Sequence, residues 1–138
     1  MAIGLDVGSY AAECVAIELQ GKETTVSRIS SAVDCGLVFN PEGVRSQMEG
    51  AIIIGLGSAL FEAAEFENGR LLNSSFARYR VPRINHTPHI DVALVGSDVN
   101  PSTGAGEPGI VPIAPTIANA LFDRTSRRIR ELPLQRHL

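Results

Sequence analysis

A long helical segment interrupted by glycines most constrains how this sequence can fold. Asn40, Pro41 and Glu42 form a strong helix start, because Asn caps helices, Pro suits the first turn and an acidic residue complements the helix dipole. The pattern predicts a helix to about Ala64 that includes Gly43, Gly50, Gly55 and Gly57. Each interior glycine costs about 1 kcal/mol relative to alanine. We therefore expect another backbone or a ligand to approach this helix closely.

Strand patterns flank this helix on both sides. Residues 14–19 alternate and end at the turn Gln20-Gly21-Lys22, and the β-branched residues 24–33 are predicted to pair with them as a hairpin. A second hairpin is expected around residues 67–70, ending near Phe76, followed by a proline-bearing extended stretch over 79–89, a strand over 90–95 and a short helix over 112–123. We predict one α/β (α+β) domain over 1–138, with a mixed or antiparallel sheet of about five strands, a long glycine-rich helix and a short C-terminal helix.

Composition excludes several classes of protein. The chain has 138 residues and a net charge of −3, which argues against a general nucleic-acid binder. Its longest apolar run, residues 51–61, includes two glycines and falls short of the roughly 20 residues that span a bilayer. Cys14 and Cys35 are too few for a disulfide scaffold and form no metal-binding pair. We expect a soluble, intracellular domain.

The segment Ile3-Gly4-Leu5-Asp6-Val7-Gly8-Ser9 resembles the first phosphate motif of actin-like ATPases. Such a motif is short and weakly specific, and that fold needs two lobes and a second phosphate loop. Under this alternative, ATP would bind in a manner sensitive to Asp6. The simpler interpretation is a strand that enters a turn.

Glu107 and Gln47 are the candidate functional side chains. Glu107 lies in the glycine-rich loop Gly104-Ala105-Gly106-Glu107-Pro108-Gly109, where Pro108 stiffens its presentation as a general base needs; an exposed surface turn is the alternative. Gln47 shares a helix face with Gly43, Gly50, Ala51 and Ile54, so its amide could reach a ligand against the bared backbone. Tight helix packing with an incidental Gln47 explains the same pattern. His86 and His89 are interpreted as a solvated turn, and the arginines at 124–130 as a helix end or interface.

Several motifs in one order resemble a single family. They are Gly8-Ser9-Tyr10, Ala32-Val33-Asp34-Cys35-Gly36, Asn40-Pro41, Gln47-Met48-Glu49-Gly50, Gly55-Leu56, Asn73-Ser74-Ser75-Phe76, Tyr79, Gly106-Glu107-Pro108-Gly109 and residues 112–120. This set resembles the C-terminal part of the molybdenum-binding large subunit of the xanthine dehydrogenase and aldehyde oxidase family, nearest to the isoquinoline 1-oxidoreductase β-subunit or aldehyde dehydrogenase type. The resemblance reassigns the apparent ATPase motif to an ordinary strand and turn.

The resemblance implies a molybdopterin cofactor, in bacteria usually its cytosine dinucleotide form. It implies that Glu107 is the catalytic glutamate beside molybdenum, which takes up a proton while an electron-poor carbon is hydroxylated with oxygen from water. Gln47 matches the glutamine that hydrogen-bonds the pterin, and Gly106 offers backbone space near the same centre. No residue here is expected to ligate metal. Small aldehydes or N-heterocycles are the implied substrates.

One departure from the family is large. Its large subunits are several times longer, and the segments that hold most of the cofactor lie upstream of the part matched here. We therefore expect a fragment or one piece of a split enzyme, inactive and without molybdenum alone, which self-associates through exposed apolar surface. Its expected partners are the remainder of the large subunit and an iron–sulfur small subunit, and its expected location is cytoplasmic, or periplasmic if the missing part carries an export signal. A non-catalytic assembly module remains the alternative from another class.

Overall fold

The structure, a computed structural model, describes residues 1–21, 23–96 and 99–138. Its strands and helices are β1 (Ala2–Asp6), β2 (Ser9–Gln20), β3 (Glu23–Asp34), α1 (Pro41–Leu60), β4 (Phe66–Glu67), β5 (Arg70–Leu71), β6 (His89–Leu94) and α2 (Ile113–Thr125). Two short 3-10 turns lie at Ile84–His86 and Leu134–His137.

The main sheet has four strands in the order β1-β2-β3-β6. The first three strands run antiparallel, and β6 joins β3 in parallel, so the sheet is mixed, which was one of the two predicted alternatives. Strands β4 and β5 form a separate two-stranded ribbon, so the described strands number six, where about five were predicted. The predicted turn between β2 and β3 includes Lys22, which lies outside the described residues.

A bulge at Ser27 changes which residues of β3 face the helices. Ala16 pairs with Arg28 but Ile17 pairs with Val26, which leaves Ser27 as the extra residue. Its hydroxyl donates to the Ala16 carbonyl at 3.3 Å. Because of this extra residue, Val26 and Ile29 both point into the core although three positions separate them.

Both helices pack on one face of the sheet, α1 near β6 and α2 over β2. The larger core cluster lies between α1, α2 and the sheet, and includes Ile29, Ile52, Leu56, Ile117 and Leu121. A smaller cluster lies toward the start of α1 and is formed by Ala11, Val33, Cys35 and Met48. The smaller cluster supports the part of the molecule where the candidate site lies.

Helix α1 begins as predicted and ends earlier than predicted. The Asn40 side chain accepts a hydrogen bond from the Gly43 amide at 3.0 Å, as the N-cap interpretation requires. The helix was predicted to reach about Ala64 but ends at Leu60. The Gly57 carbonyl accepts from the amides of both Phe61 and Glu62, so the chain turns away there.

Three of the four glycines of α1 divide into two kinds. A Cβ on Gly57 would overlap the Glu62 carboxylate and the Pro82 ring, and one on Gly55 would lie 3.3 Å from Ile113. These two glycines therefore confirm the expected close approach to the helix. Gly50 instead faces open space in the described structure.

The segment between α1 and β6 differs from the expectation. The second hairpin is limited to the two-residue strands β4 and β5, because the Asn73 side chain binds the Glu65 amide and the Ala63 carbonyl and ends the pairing. The proline-bearing stretch is not extended throughout. It contains the 3-10 turn at residues 84–86, where the His86 ring accepts a hydrogen bond from the Arg83 amide.

The outer face of the sheet is not covered by either helix. Ile3, Leu5 and Tyr10 lie there and are 68%, 58% and 54% exposed. Ala12, Ala32 and Ala93 continue this face across the other strands in register. No described helix has the length and apolar character needed to cross a membrane.

Candidate functional site

The loop over residues 99–109, which we term the Glu107 loop, runs beside the end of β3. The Leu37 amide donates to the Asn100 carbonyl and the Thr103 amide donates to the Cys35 carbonyl, both at 3.0 Å. Gly36 adopts a φ of +68°, and a side chain there would overlap the Pro101 carbonyl oxygen. Glycine at this position therefore allows the loop to lie directly on the chain that leaves the sheet.

The turn between β1 and β2 also contacts the Glu107 loop. Ser9 is fully buried, and its hydroxyl donates to the Gly104 carbonyl at 2.5 Å. The Thr103 hydroxyl lies 2.8 Å from the same Ser9 oxygen. Ser9, part of the apparent ATPase motif, is thus engaged within the protein, which favours the interpretation as a strand and turn.

The other end of the loop packs against α1. Pro108 and Gly109 are buried, and a Cβ on Gly109 would lie 3.2 Å from both the Ala51 Cβ and the Met48 carbonyl oxygen. The Ile110 amide donates to the Glu107 carbonyl at 2.9 Å and closes a turn. This packing places Glu107 between two fixed points of the chain.

Gln47 and Gly106 line one groove of about 260 Å³ between the start of α1 and the Glu107 loop. The walls are mainly apolar, and the remaining lining residues are Cys35, Leu37, Val38, Phe39, Asn40, Gly43, Val44, Ser102, Gly104 and Ala105. The structure therefore brings two of the three candidate site residues to one cavity. Glu107 follows Gly106 directly in the chain and is not among the residues that line the groove.

The surroundings of Glu107 and Gln47 differ from part of the expectation. Glu107 is exposed, as in the alternative interpretation of a surface turn, and its carboxylate makes no hydrogen bond or ion pair with the described residues. Gln47 is exposed beside Gly43 and Val44. Of its expected neighbours on one face, Ala51 is buried beneath Gly109 and Ile54 points outward, so that face does not form one surface.

The sequence interpretation missed Thr103 and Phe39, although both contribute to this region. Thr103 contacts Ser9 across 94 positions of the chain, a pairing that no local spacing reveals. Phe39 precedes the N-cap of α1, lines the groove and is 82% exposed. An aromatic side chain next to a helix start is a signal that could have indicated it.

Glu13 is a buried carboxyl on β2 that no motif in the sequence indicates. Burial raises the pKa of Glu13 to about 8, and a weak hydrogen bond from Ser31 at 3.5 Å opposes that rise. Its second carboxylate oxygen has no hydrogen-bond partner among the described residues. Glu13 is therefore mostly protonated at neutral pH.

The histidines and cysteines lie apart from the groove, with one exception. His86 contacts the Phe61 ring, while His89 pairs with Asp91 at 3.2 Å. A hydrogen bond from Arg28 holds the pKa of Asp91 below its usual value. Cys14 is exposed on the outer sheet face, whereas Cys35 is buried at the groove. Within residues 1–21, 23–96 and 99–138, no group of three or more potential metal ligands comes together.

Comparison with known proteins gives consistent similarities. Residues 6–88 match the family model described as a molybdopterin cofactor-binding domain. Over 120 residues the chain is 37% identical to a nicotinate dehydrogenase subunit of Pseudomonas putida, covering 87% of this chain and 10% of that protein. It is 38% identical over 141 residues to the beta subunit of isoquinoline 1-oxidoreductase from Brevundimonas diminuta, covering 98% of this chain and 18% of that protein. The chain thus spans less than a fifth of either relative.

A solved structure shows the same fold. Quinoline 2-oxidoreductase from Pseudomonas putida 86 superposes with a TM-score of 0.82 at 21% identity, over 91% of this chain and 17% of that one. The aldehyde oxidoreductase from Desulfovibrio gigas gives a TM-score of 0.76 at 22% identity, over 91% of this chain and 14% of that one. At these identities, the likeness concerns the fold.

Proposed function

The chain belongs to the molybdopterin cofactor-binding domain family, and we propose that it is a C-terminal part of a molybdenum hydroxylase with Glu107 as its catalytic base. The proposed enzyme oxidises small aldehydes or N-heterocycles with oxygen derived from water. The observation that carries this proposal is the groove that joins Gln47 and Gly106, with Glu107 next to Gly106 in the chain and unpaired among the described residues. Relatives named nicotinate dehydrogenase and isoquinoline 1-oxidoreductase support it.

The groove fits one edge of a molybdopterin cofactor, for which we propose the cytosine dinucleotide form. The Gln47 amide can donate and accept hydrogen bonds at once, which suits a pterin edge. Gly104 and Gly106 face open space where a Cβ would stand, so a planar group can lie close to their backbone. When bound, the cofactor supplies the two-electron redox chemistry of the hydroxylation.

Two features of Glu107 suit the proposed role of proton acceptor. Its carboxylate is exposed and unpaired among the described residues, so no internal partner competes for it. Pro108 is buried and restricts the backbone of the residue before it, which limits the orientations of Glu107. In the proposed enzyme, the rest of the subunit closes over the groove and excludes water from Glu107.

The proposed partners follow from the length and chemistry of the chain. The relatives are named as subunits and are much longer, so we propose the remainder of a large subunit as the first partner. Cys14 and Cys35 cannot ligate an iron–sulfur cluster, so electrons would leave through an iron–sulfur small subunit. The isolated chain is then inactive and free of molybdenum, and stoichiometric molybdenum in the purified chain would contradict this. The cytoplasmic location stays a prediction.

A non-catalytic assembly module is the second candidate, and the exposed outer sheet face favours it. Ile3, Leu5 and Tyr10 form an apolar surface of the kind that another chain segment covers. In the isolated chain this surface promotes self-association, which light scattering during size exclusion detects. A strictly monomeric profile would contradict self-association without affecting the proposal for Glu107.

The substitution Glu107→Gln separates catalysis from assembly. In an enzyme assembled from this chain and the remaining segments, we expect turnover to fall about 100-fold or more, because the amide cannot accept the proton. Molybdenum content should stay unchanged, as measured by metal analysis. The matched control is Glu18→Gln, an exposed residue on β2, which should retain full turnover. Unchanged turnover in Glu107→Gln would favour the assembly module.

A further inference from the structure

The turn between β1 and β2 has no part in the function proposed above, yet it contacts the loop that presents Glu107. We propose that Ser9, together with Thr103, is a positioning pair that fixes the Glu107 loop on the sheet. This inference rests on the proposed function of Glu107 for its catalytic consequence. The contact itself can be tested independently in the isolated chain.

The donor and the acceptor in both hydrogen bonds of Ser9 follow from its single hydroxyl proton. A serine hydroxyl has a single proton, which Ser9 donates to the Gly104 carbonyl at 2.5 Å. The Thr103 hydroxyl, 2.8 Å away, is therefore the donor to Ser9. Ser9 thus binds a side chain and a backbone group of two successive loop residues. Ser9 is fully buried, Thr103 is half-buried and Gly104 is exposed, so removing the Ser9 hydroxyl breaks the two bonds that tie the loop to the buried start of β2.

The strained backbone of the turn is further evidence that its contact with the Glu107 loop is a stable part of the fold. Val7 and Gly8 have φ values of +46° and +90°, as a two-residue type I′ turn requires. A β-branched residue at positive φ is a genuine outlier, because its side chain collides with the backbone. This strained turn lies against Thr103, since a Cβ on Gly8 would stand 3.2 Å from the Thr103 methyl group. Strain of this kind persists where the surrounding structure holds the turn in place.

The position of the pair explains how it reaches Glu107. Ser9 fixes the loop at Thr103 and Gly104, and α1 fixes it at Pro108 and Gly109. Only residues 105–107 lie between these two points, and the glycines at 104 and 106 would otherwise give the segment wide freedom. The Ser9 contact therefore narrows the range of places that the Glu107 carboxylate can occupy. Misplacement of a reacting group by about 1 Å can cost roughly 100-fold in rate.

Hydrogen exchange in the isolated chain tests the contact. The Thr103 amide, which donates to Cys35, and the Leu37 amide, which donates to Asn100, report opening of the loop. In Ser9→Ala and in Thr103→Val we expect their exchange to accelerate about tenfold, while amides of α1 exchange as in the unmodified chain. Thr103→Ser keeps the hydroxyl and should restore slow exchange. Ser30→Ala, an exposed serine on β3, is the control. Unchanged exchange in both Ser9→Ala and Thr103→Val would overturn the inference.

The assembled enzyme then separates this inference from the proposed function. If both hold, Ser9→Ala and Thr103→Val lower kcat about tenfold at unchanged KM and molybdenum content, and Thr103→Ser restores kcat. Suppose that Ser9→Ala accelerates amide exchange without altering kcat, and that the Glu107→Gln enzyme is active. This result would support the contact between Ser9 and the loop and refute the catalytic role of Glu107. If Glu107→Gln inactivates the enzyme while the separate variant Ser9→Ala changes neither amide exchange nor kcat, the positioning pair alone is refuted.

Discussion

The two hairpin turns of this molecule have the same backbone geometry and opposite surroundings. Val7-Gly8 joins β1 to β2 and Asn68-Gly69 joins β4 to β5, and all four residues have positive φ. Asn-Gly is the favoured sequence for such a turn, whereas valine is poorly suited to it. The second hairpin is exposed at every strand residue, while the first contacts the Glu107 loop through Ser9 and carries the buried Glu13.

The difference between the two hairpins shows where the protein contains locally unfavourable features. The exposed hairpin follows the ordinary sequence rules and contacts little else. The first hairpin departs from those rules twice, with a β-branched residue at positive φ and with a buried carboxyl that has an unpartnered oxygen. Departures of this kind are expected near functional or strained sites, and here both occur on the hairpin that holds the Glu107 loop.

Ionisation of Glu13 should give the largest difference in stability between the two hairpins. Its folded pKa of about 8 exceeds its ordinary value of 4.5, so between these pH values the folded state retains a proton that the unfolded state has lost. The stability of the protein therefore falls as pH rises from 4.5 to 8, by on the order of 3–5 kcal/mol from this group, and levels off above. Glu13→Gln should remove this slope in urea unfolding measured across that range.

The second hairpin supplies the matched control for Glu13. Glu67→Gln changes an exposed carboxyl on β4 and should leave the pH profile as in the unmodified chain. A Glu13→Gln variant that keeps the full slope would show that Glu13 ionises normally within the fold.

An intermediate effect is expected from alanine at the second position of each turn. Gly8 has a φ of +90° and close contact with Thr103, whereas Gly69 has a φ of +76° and open space around it. Gly8→Ala should lower the free energy of unfolding by about 2 kcal/mol, and Gly69→Ala by about 1 kcal/mol. Thermal and urea unfolding of both variants measure the difference. Equal losses of unfolding free energy in the two variants would mean that the close contact of Gly8 with Thr103 does not increase the cost of the alanine.

Exchanging the first residues of the two turns should change the free energy of unfolding by a smaller amount. Val7→Asn relieves the positive φ of a β-branched residue and should stabilise the protein by about 1 kcal/mol. Asn68→Val introduces the same strain into the exposed hairpin and should destabilise the protein by a similar amount. A destabilising Val7→Asn, seen as a lower Tm, would indicate that the valine side chain has a stabilising contact of its own.

Local sequence signals predicted most of the secondary structure. The N-cap at Asn40 and the alternation in β2 and β3 act over a few residues, so the start of α1 and the antiparallel pairing of β2 with β3 follow from them. The end of α1 at Leu60 depends on Pro82 and Glu62 folding back over Gly57, a tertiary contact. The parallel pairing of β6 with β3 likewise joins segments far apart in sequence and has no local signature.

The candidate site likewise contains residues that local motifs predict and residues that depend on tertiary contacts. Gln47, Gly106 and Glu107 follow from motifs of the family resemblance, and the structure brings Gln47 and Gly106 to one groove. The catalytic and cofactor-binding roles of the three residues stay predictions. Thr103 and the buried state of Glu13 depend on which strands and loops stack together, and neither spacing nor composition contains that information.

The contact between Ser9 and Gly104 joins residues 95 positions apart, and this has a consequence for the order of folding. Closing so long a loop costs conformational entropy before any contact repays it, so contacts of this range form late. The hairpin of β2 and β3 consists of local contacts and can form before the contact between Ser9 and Gly104. We therefore expect the Glu107 loop to reach its final position only after most of the chain has folded, and a nascent chain to lack this site until the segment that follows β6 has left the ribosome.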